Sequence, residues 1–486
     1  MDRNDLRTKV FSGFFWKFGE RITAQLVTLI VSVVLARVLD PSHYGTVALV
    51  MIFITFANVF VSSGLGSALI QKKDADNIDF SSVFYFNLGL SLVLYIILFF
   101  IAPLASDFFN DPILTPALRV LGIRIVVASI NSVQQAFVSR NMLFRKFFVS
   151  TLFGTVTSGI VGIVLAYRGF EVWALIAQYL TNTCIDTIVL WITVRWRPSY
   201  VFSWNKTKEL ISFGWKLLIS ALIDTGYNQI RSLVIGKRYS SEDLAFYNQA
   251  ERYPSLFITN INASISSVVF PAMSKAQSDI EKVRQMTRRS IQISSFVILP
   301  LMIELFVTAE PLVSLLLTDK WLPCVPYIRI FCISYAFWPI HTANLQAMNA
   351  LGRSDLFLKL EIIKKTVGVV ALLITIPMGP FAIAVSMLIS SILSTFINSY
   401  PNIKVLKYGV IEQFKDILPS LLASSIMGVL IWCIHFLLKN NVLLLCLQTI
   451  IGGTIYLFIA YIFHMSGMTY LIQLIKGFRK NRETNQ

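Results

Sequence analysis

The chain alternates between long apolar segments and short polar connections. Each apolar segment holds about 20 residues or more without the strict alternation of a β-strand, so it predicts an α-helix that can cross the roughly 30 Å core of a bilayer. The predicted spans are 14–38, 44–70, 81–105, 114–138, 147–167, 171–194, 208–236, 244–273, 290–317, 327–350, 357–377, 380–400, 417–438 and 442–465. The predicted fold is therefore an all-α polytopic membrane protein with about 14 transmembrane helices.

The composition agrees with this pattern. Of 486 residues, 55% are hydrophobic and only 14% are charged, and the mean hydropathy is +0.68. A soluble protein carries about a quarter charged residues, so these charges are too few to cover a soluble surface. The five cysteines are scattered through apolar segments, which predicts neither a disulfide framework nor a metal site. No bound cofactor is expected.

Lysine and arginine mark one side of the predicted bundle. They are abundant in the connections "RNMLFRK" and "RWRPSYVFSWNKTK" and in the tail "KGFRKNR", whereas the connection "SDFFNDP" on the other side carries only acids. Because short basic loops stay in the cytoplasm, both termini are predicted to be cytoplasmic. This asymmetry accounts for most of the net charge of +16, so no nucleic-acid partner is expected and the tail is assigned to membrane lipid headgroups.

Two pairs of similar segments indicate an internal repeat. "FFWKFGERITAQLVTLIVSVVLARVLDPSHYG" corresponds to "SFGWKLLISALIDTGYNQIRSLVIGKRYSSEDLAFY", and "QQAFVSRNMLFRK" corresponds to "LQAMNALGRSDLFLK", in the same order and at similar spacing. The predicted organisation is one six-helix bundle at 1–200, a second at 201–405, and two additional helices with the basic tail at 406–486. Two parallel repeats of this kind surround a central cavity in some transporters.

Charged residues inside the predicted spans need an explanation, because each one facing lipid at mid-bilayer costs about 2.5–3.5 kcal/mol. Four basic residues lie near span ends, where long side chains reach the headgroups: Arg119, Lys216, Arg231 and Arg329. Glu361 lies one turn before Lys365 and is a candidate partner for it. The remaining basic residues are assigned to a water-filled cavity: Arg21, Arg124, Arg252, Lys364 and Lys365. A basic cavity favours an anion, and arginine suits phosphate or pyrophosphate.

Four segments carry a resemblance to a known family. They are "LARVLDPSHYG", "QQAFVSRNMLFRK", "LVIGKRYSSEDLAFYNQAERYP" and "LQAMNALGRSDLFLK", and they are spread over almost the whole chain. The chain resembles the polysaccharide transporters of the multidrug/oligosaccharidyl-lipid/polysaccharide exporter superfamily, which includes Wzx-type O-antigen flippases. The resemblance implies two bundles around a cavity, alternating access, and export of undecaprenyl-pyrophosphate-linked oligosaccharide across the bacterial inner membrane for O-antigen, capsule or exopolysaccharide synthesis.

The resemblance also implies roles for individual residues. In related lipid II flippases, arginines of the first and eighth helices line the cavity, and Arg21 and Arg252 lie on those helices here. Many relatives carry an acid where this chain has Arg231, so a proton or sodium site there is replaced by the weaker candidates Asp224 and Asn228. A polymerase and a chain-length regulator of the same pathway are the expected protein partners.

Two other functions compete with export of a lipid-linked sugar. A cation-coupled multidrug exporter of the same superfamily is typically lined by acidic and aromatic residues, whereas this interior is net basic. A membrane enzyme such as a polysaccharide polymerase usually has a large outer loop, and no predicted outer loop here is longer than about a dozen residues. The sequence also lacks a P-loop motif for ATP hydrolysis, so no enzymatic activity is predicted.

Overall fold

The computed structural model describes residues 19, 23–62, 64–436, 438 and 440–470, apart from the side chains of Phe213 and Ser354. This part of the chain is all-α. The helices are α1 (Thr23–Val38), α2 (Pro41–Ser62), α3 (Leu65–Gln71), α4 (Asn77–Phe109), α5 (Leu114–Arg140), α6 (Phe144–Tyr167), α7 (Val172–Thr193), α8 (Trp204–Arg238), α9 (Ser241–Lys275), α10 (Ile280–Leu317), α11 (Val325–Ala336), α12 (Trp338–Ala350), α13 (Ser354–Thr375), α14 (Pro380–Val405), α15 (Val410–Ile434) and α16 (Asn441–Ile462). Short 3₁₀ turns at Asp319–Cys324 and Ile376–Met378 precede α11 and α14.

Ten spans in the described residues are long and apolar enough to cross a membrane. They are α2 together with α3, and α4, α5, α6, α7, α9, α10, α14, α15 and α16. A multi-pass membrane protein is therefore confirmed, and the count of fourteen stays a prediction. The span predicted at 327–350 is divided into α11 and α12, because Pro339 in the first turn of α12 cannot donate the hydrogen bond that would continue α11.

The helices group into two compact units, residues 1–245 and 246–486. In unit 1, α5 packs against α2, α4 and α7, while α8 packs against α2, α3 and α4. A cluster that includes Leu69, Phe84, Val133 and Leu210 fills the space between α3, α4, α5 and α8. The contacts of α8 explain why the unit extends past residue 200. The predicted division at 200 and 405 rests on the sequence repeat and stays a prediction.

Glycine allows α2 to approach α8 and the first residue of α9 closely. A Cβ atom on Gly214 in α8 would lie 3.0 Å from the carbonyl carbon of Gly64, at the end of α2. Near the start of α2, a Cβ atom on Gly45 would lie 1.8 Å from the carbonyl oxygen of Ser241, the first residue of α9. Real side chains cannot approach a backbone this closely, so the contacts of α2 with α8 and with the start of α9 depend on these glycines.

In unit 2, α10 packs against α11, α12, α15 and α16. Phe296 on α10, Met427 and Ile431 on α15, and Tyr456 on α16 share one buried cluster. The phenol of Tyr456 donates to the carbonyl oxygen of Phe296 at 2.8 Å. The two helices outside the predicted repeat are therefore integrated into the core of this unit.

Two turns at matching points of the predicted repeats share one geometry. The turn between α5 and α6 has Met142 at φ 54°, and the turn between α12 and α13 has Gly352 at φ 71°. In each, the next residue donates its backbone N–H to a carbonyl five residues earlier, Leu143 to Val138 and Arg353 to Met348, both at 3.0 Å. This is the left-handed ending that often terminates helices. Both turns fall within the second pair of similar sequence segments.

Candidate anion-binding site

Arg124 lies on α5 among neutral groups of unit 1. Its Nε donates to Oγ1 of Thr183 on α7 at 2.8 Å, and one Nη lies 3.5 Å from the sulfur of Met51 on α2. The centre of the guanidinium group is 5.7 Å from the centroid of the Tyr179 ring. The side chain is half-buried. The site is therefore formed where α2, α5 and α7 meet.

None of these contacts neutralises the charge of Arg124. Arginine remains protonated in proteins, and its partners here are a hydroxyl, a thioether and an aromatic ring. Within the described ranges, no carboxylate lies within ion-pair distance of this guanidinium group. Two of its five N–H groups are used in these contacts, so the others can bind an anion. The predicted anion-binding role of Arg124 stays a prediction.

Arg231 on α8 is a second uncompensated charge, which the sequence reasoning missed. The prediction placed this side chain at the headgroups, but it is buried, with 7% of its surface exposed. Its guanidinium group lies 5.4 Å from the ring centroid of Tyr227, one turn earlier, and its Nε has no hydrogen-bond partner in the part of the chain that the structure describes. The assignment of Arg231 to the headgroups was wrong, because α8 packs against α2 and keeps this turn away from lipid.

A polar stripe along α8 was the signal that could have identified Arg231. Asp224, Tyr227, Asn228 and Arg231 recur at spacings of three and four residues, which places them on one helix face. A lipid-facing stripe of a membrane helix is apolar, so this stripe indicates a face that meets protein or water. The distance of Arg231 from the end of its span predicted its surroundings less well than the polar residues on the same helix face did.

Contacts between α8 and α2 fix the depth of Arg231. Gly236 packs against Leu49, and Gly226 packs against Phe56. Arg231 lies midway between these two glycines, so it is level with the middle of the stretch from Leu49 to Phe56. That stretch is at the centre of α2 (Pro41–Ser62).

Arg124 lies at the same depth, because its guanidinium group contacts Met51. Two positive groups therefore lie close to the middle of α2, one reached from α5 and the other from α8. Charge at this depth is the most expensive to leave uncompensated in a membrane protein. An anion bound there would compensate it, and arginine provides paired N–H donors that match the oxygens of a phosphate group.

The other predicted anion-binding residues have different surroundings. Arg21 lies outside the described residues. Arg252 on α9 is half-buried, and its carbonyl oxygen accepts a hydrogen bond from Ser255 at 2.8 Å. Lys364 on α13 forms an ion pair with Glu361, so its charge is balanced, and the neighbouring Lys365 is half-buried. These three described residues belong to unit 2, whereas Arg124 belongs to unit 1.

The predicted coupling-ion residues are on the surface of α8. Asp224 and Asn228 are both exposed, and Nδ2 of Asn228 lies 3.4 Å from Oδ2 of Asp224. They share one face, as their spacing indicated, and a role in ion coupling stays a prediction. In the part of the chain that the structure describes, no group of three or more histidine, cysteine or acidic residues could hold a metal ion.

Unit 2 contains an apolar cavity of about 490 Å³ between α10, α11, α12 and α15. Its walls include Met302, Phe306 and Phe337, and Lys415 is the charged residue in its lining. The lining residues Ile411 and Leu418 are exposed, so the cavity opens on the surface of the unit. Its volume lies within the range of about 300–1,000 Å³ that is usual for ligand pockets.

Known proteins resemble this chain in sequence and in fold. Residues 34–326 match the family described as "Polysaccharide biosynthesis protein". The lipopolysaccharide biosynthesis protein WzxC of Escherichia coli (strain K12) is 23% identical over 88% of this chain and 89% of its own length. The teichuronic acid biosynthesis protein TuaB of Bacillus subtilis (strain 168) is 22% identical over 93% of this chain and 95% of its own length.

Solved structures share the fold. The inward closed conformation of the lipid II flippase MurJ aligns with a TM-score of 0.75 and 18% identity, covering 93% of this chain and 99% of that protein. An inward-facing multidrug resistance transporter of the MATE family, from the MOP superfamily, aligns with a TM-score of 0.62 and 17% identity, covering 83% and 98% of the two chains. At these identities the likeness concerns the fold.

Proposed function

The chain belongs to the polysaccharide biosynthesis protein family, a family of membrane transporters, and on that premise we propose that it is a flippase for a lipid-linked oligosaccharide. Its substrate is an undecaprenyl-pyrophosphate-linked repeat unit, which it carries from the cytoplasmic to the outer leaflet of the bacterial inner membrane by alternating access. The product supplies O-antigen, capsule or exopolysaccharide synthesis. Both termini are cytoplasmic in this proposal, and a polymerase and a chain-length regulator act after the transporter.

The uncompensated charge of Arg124 is the observation that carries the proposal. A pyrophosphate linker is the part of such a substrate that is most expensive to move through a bilayer, because it is charged. Arg124, with Arg231 at the same depth, offers positive charge near the middle of α2, and no carboxylate of the described residues lies within ion-pair distance of Arg124. A cationic drug would be repelled at this place, which favours an anionic substrate over the multidrug alternative.

The apolar cavity of unit 2 supports a lipid-linked substrate. An undecaprenyl chain needs an apolar surface, and this cavity is lined by leucine, isoleucine, methionine and phenylalanine side chains. Its volume of about 490 Å³ holds part of such a chain, so the remainder would stay among the membrane lipids. Lys415 in the lining can contact the charged headgroup of a lipid.

The proposal is tested by reconstituting the full chain in proteoliposomes that contain a fluorescent undecaprenyl-pyrophosphate oligosaccharide. Flipping is measured as the fraction of label that becomes accessible to a quencher in the outer solution. The wild-type chain is expected to flip the label, and Arg124→Gln is expected to slow it at least tenfold. Arg119→Gln is the control, because Arg119 lies on the same helix and binds the carbonyl oxygen and the ring of Phe99. Equal rates with and without the wild-type chain would refute the proposal.

A further inference from the structure

Asp186 on α7 is held in unit 1 by neutral hydrogen-bond partners. Nδ2 of Asn131 on α5 donates to its Oδ2 at 2.7 Å. The side chains of Gln135 on α5 and Ser150 on α6 also lie beside its carboxyl group, where they can donate to the ionised form. Among the described residues, no basic group is an ion-pair partner of Asp186. A half-buried carboxyl group within a membrane span is thus surrounded by amides and a hydroxyl.

Charged side chains on the helices that pack against α7 contact groups other than Asp186. On α5, Arg124 binds Thr183, which precedes Asp186 by about one turn. On α6, Lys146 donates to the carbonyl oxygen of Thr193, about two turns after Asp186. The charged groups at the far end of the contact are His43 of α2 and Glu171, which lie 3.5 Å apart just before α7 begins. Asp186 therefore lies between two positive groups without touching either.

The partners of Asp186 can accommodate both of its protonation states. The ionised carboxylate accepts hydrogen bonds from Asn131, Gln135 and Ser150. The protonated carboxyl needs an acceptor, and Oγ of Ser150 can take this role because its own hydrogen is donated to the carbonyl oxygen of Phe147 at 3.2 Å. A hydroxyl that can point either way lets the carboxyl group lose and gain a proton without leaving a buried group unpaired.

A second acceptor is available at the same place. Oδ1 of Asn131 is buried and has no hydrogen-bond partner among the described residues, and only 3% of the residue surface is exposed. An amide oxygen without a partner can accept a hydrogen bond, so the amide of Asn131 can turn its oxygen toward the protonated carboxyl of Asp186. Amide N–H groups point at the carboxylate, which suits a proton better than a metal ion. Gln135 is exposed, so the surroundings of Asp186 extend to the surface of the unit.

From this arrangement we infer that Asp186 is a proton-binding site that regulates anion binding at Arg124. The inference rests on the proposed function, because it assigns the proton a role in capturing the diphosphate group. The ionised carboxylate attracts Arg124 and repels an incoming anion, whereas the protonated carboxyl does neither. Two charges about 10 Å apart in partly buried surroundings change an affinity by roughly tenfold. Proton binding and anion binding therefore strengthen each other by the same factor.

The proton site is tested without any ligand by infrared titration of the full chain in lipid nanodiscs. The wild-type protein is expected to gain a protonated-carboxyl band as the pH falls, and Asp186→Asn is expected to lose that band. Ser150→Ala keeps the band and moves its midpoint to higher pH, because the ionised form loses a hydrogen-bond donor. Asp107→Asn, at the exposed end of α4, is the control and keeps the band of Asp186. An identical titration in wild type and Asp186→Asn would overturn the inference, even if the chain flips its substrate.

The coupling is tested with farnesyl pyrophosphate as the probe. The affinity of the wild-type protein is expected to rise about tenfold more between alkaline and acidic pH than that of Asp186→Asn. Titration of the probe itself contributes equally to both proteins, so the difference reports Asp186. Asp107→Asn should behave like wild type. The same pH dependence in wild type and Asp186→Asn would contradict the coupling, and probe binding at any pH would still support an anion site.

Discussion

Nε of Arg124 and Oγ1 of Thr183 are 2.8 Å apart, so a neutral hydroxyl holds a positive group inside the membrane part of the chain. The hydroxyl donates its own hydrogen to the carbonyl oxygen of Tyr179 at 3.3 Å, which leaves its lone pairs for the guanidinium group. Thr183 therefore orients Arg124 without reducing its charge. A carboxylate at the same place would orient the arginine equally well and cancel its use as an anion receptor.

Replacing Thr183 by valine should weaken binding of a diphosphate lipid by about tenfold. The charge of Arg124 remains, but the side chain loses a hydrogen bond to a charged group, which contributes about 1.5 kcal/mol or more. The measurement is the dissociation constant of farnesyl pyrophosphate for the purified chain. Thr183→Ser preserves the hydroxyl and should bind like wild type. If valine and serine variants bind equally well, Thr183 does not orient Arg124.

Arg231 should show opposite effects on stability and on function. Its buried Nε has no partner, so Arg231→Leu removes an unpaired polar group and should stabilise the fold by about 1 kcal/mol or more. The same variant should bind farnesyl pyrophosphate more weakly, because a positive charge at the middle of α2 is lost. Thermal unfolding in detergent and ligand titration measure the two effects. A variant that is less stable and binds normally would show that Arg231 is structural.

Arg140 should be important for stability. Its guanidinium group donates to the carbonyl oxygens of Leu69 and Lys73 at 2.7 Å each, and also to that of Lys72. These carbonyls end α3, so Arg140→Ala leaves the end of this helix unsatisfied and should cost about 2 kcal/mol or more. Lysine should not rescue the loss, because one ammonium group cannot span three carbonyls. The exposed Arg195→Ala is the control, and an equal change in the unfolding midpoint would refute this assignment.

Asp76 should make unfolding sensitive to acid. A hydrogen bond from Lys206, followed by one from the backbone N–H of Asp79, lowers the pKa of Asp76 to about 2. Since the folded pKa lies below the usual value of 3.8, the contribution to stability is present above about pH 4 and is lost as the pH falls toward 2. Asp76→Asn can still cap α4 but should lose this dependence. The measurement is the unfolding midpoint of wild type and Asp76→Asn between pH 5 and 2. If Asp76→Asn keeps the acid dependence of wild type, Asp76 is not its source.

The helices could be predicted from the sequence because burial in lipid imposes long apolar segments. Each predicted span from 44–70 onward corresponds to one described helix or to two consecutive helices, and the span predicted at 14–38 is described as a helix from Thr23 to Val38. One such pair is α11 and α12, whose junction at Phe337 interrupts an otherwise continuous apolar segment. The sequence prediction missed this interruption because the hydrophobic pattern does not change at a break of a single turn. The close contact between α2 and α8 was not predictable either, because it depends on which glycines face each other across the contact.

The candidate site was only partly predictable, because hydrogen-bond partners depend on tertiary packing. Arg124 was expected to carry an available charge because it lies deep in its span, and its anion-binding role stays a prediction. Lys364 was expected to do the same, but Glu361 balances its charge. Arg231 was assigned to the headgroups from its distance to a span end, and the packing of α8 buries it. Asp186 was recognised only as an acid in a span, and its neutral partners come from two other helices.

The central claim is that Arg124 presents an uncompensated charge that binds a diphosphate group. The most direct measurement is calorimetric titration of undecaprenyl pyrophosphate into nanodiscs that hold wild type, Arg124→Gln or Arg119→Gln at two salt concentrations. Wild type and Arg119→Gln should bind alike, while Arg124→Gln should bind at least tenfold more weakly and with a smaller salt dependence. Equal affinity and equal salt dependence in all three proteins would contradict the claim.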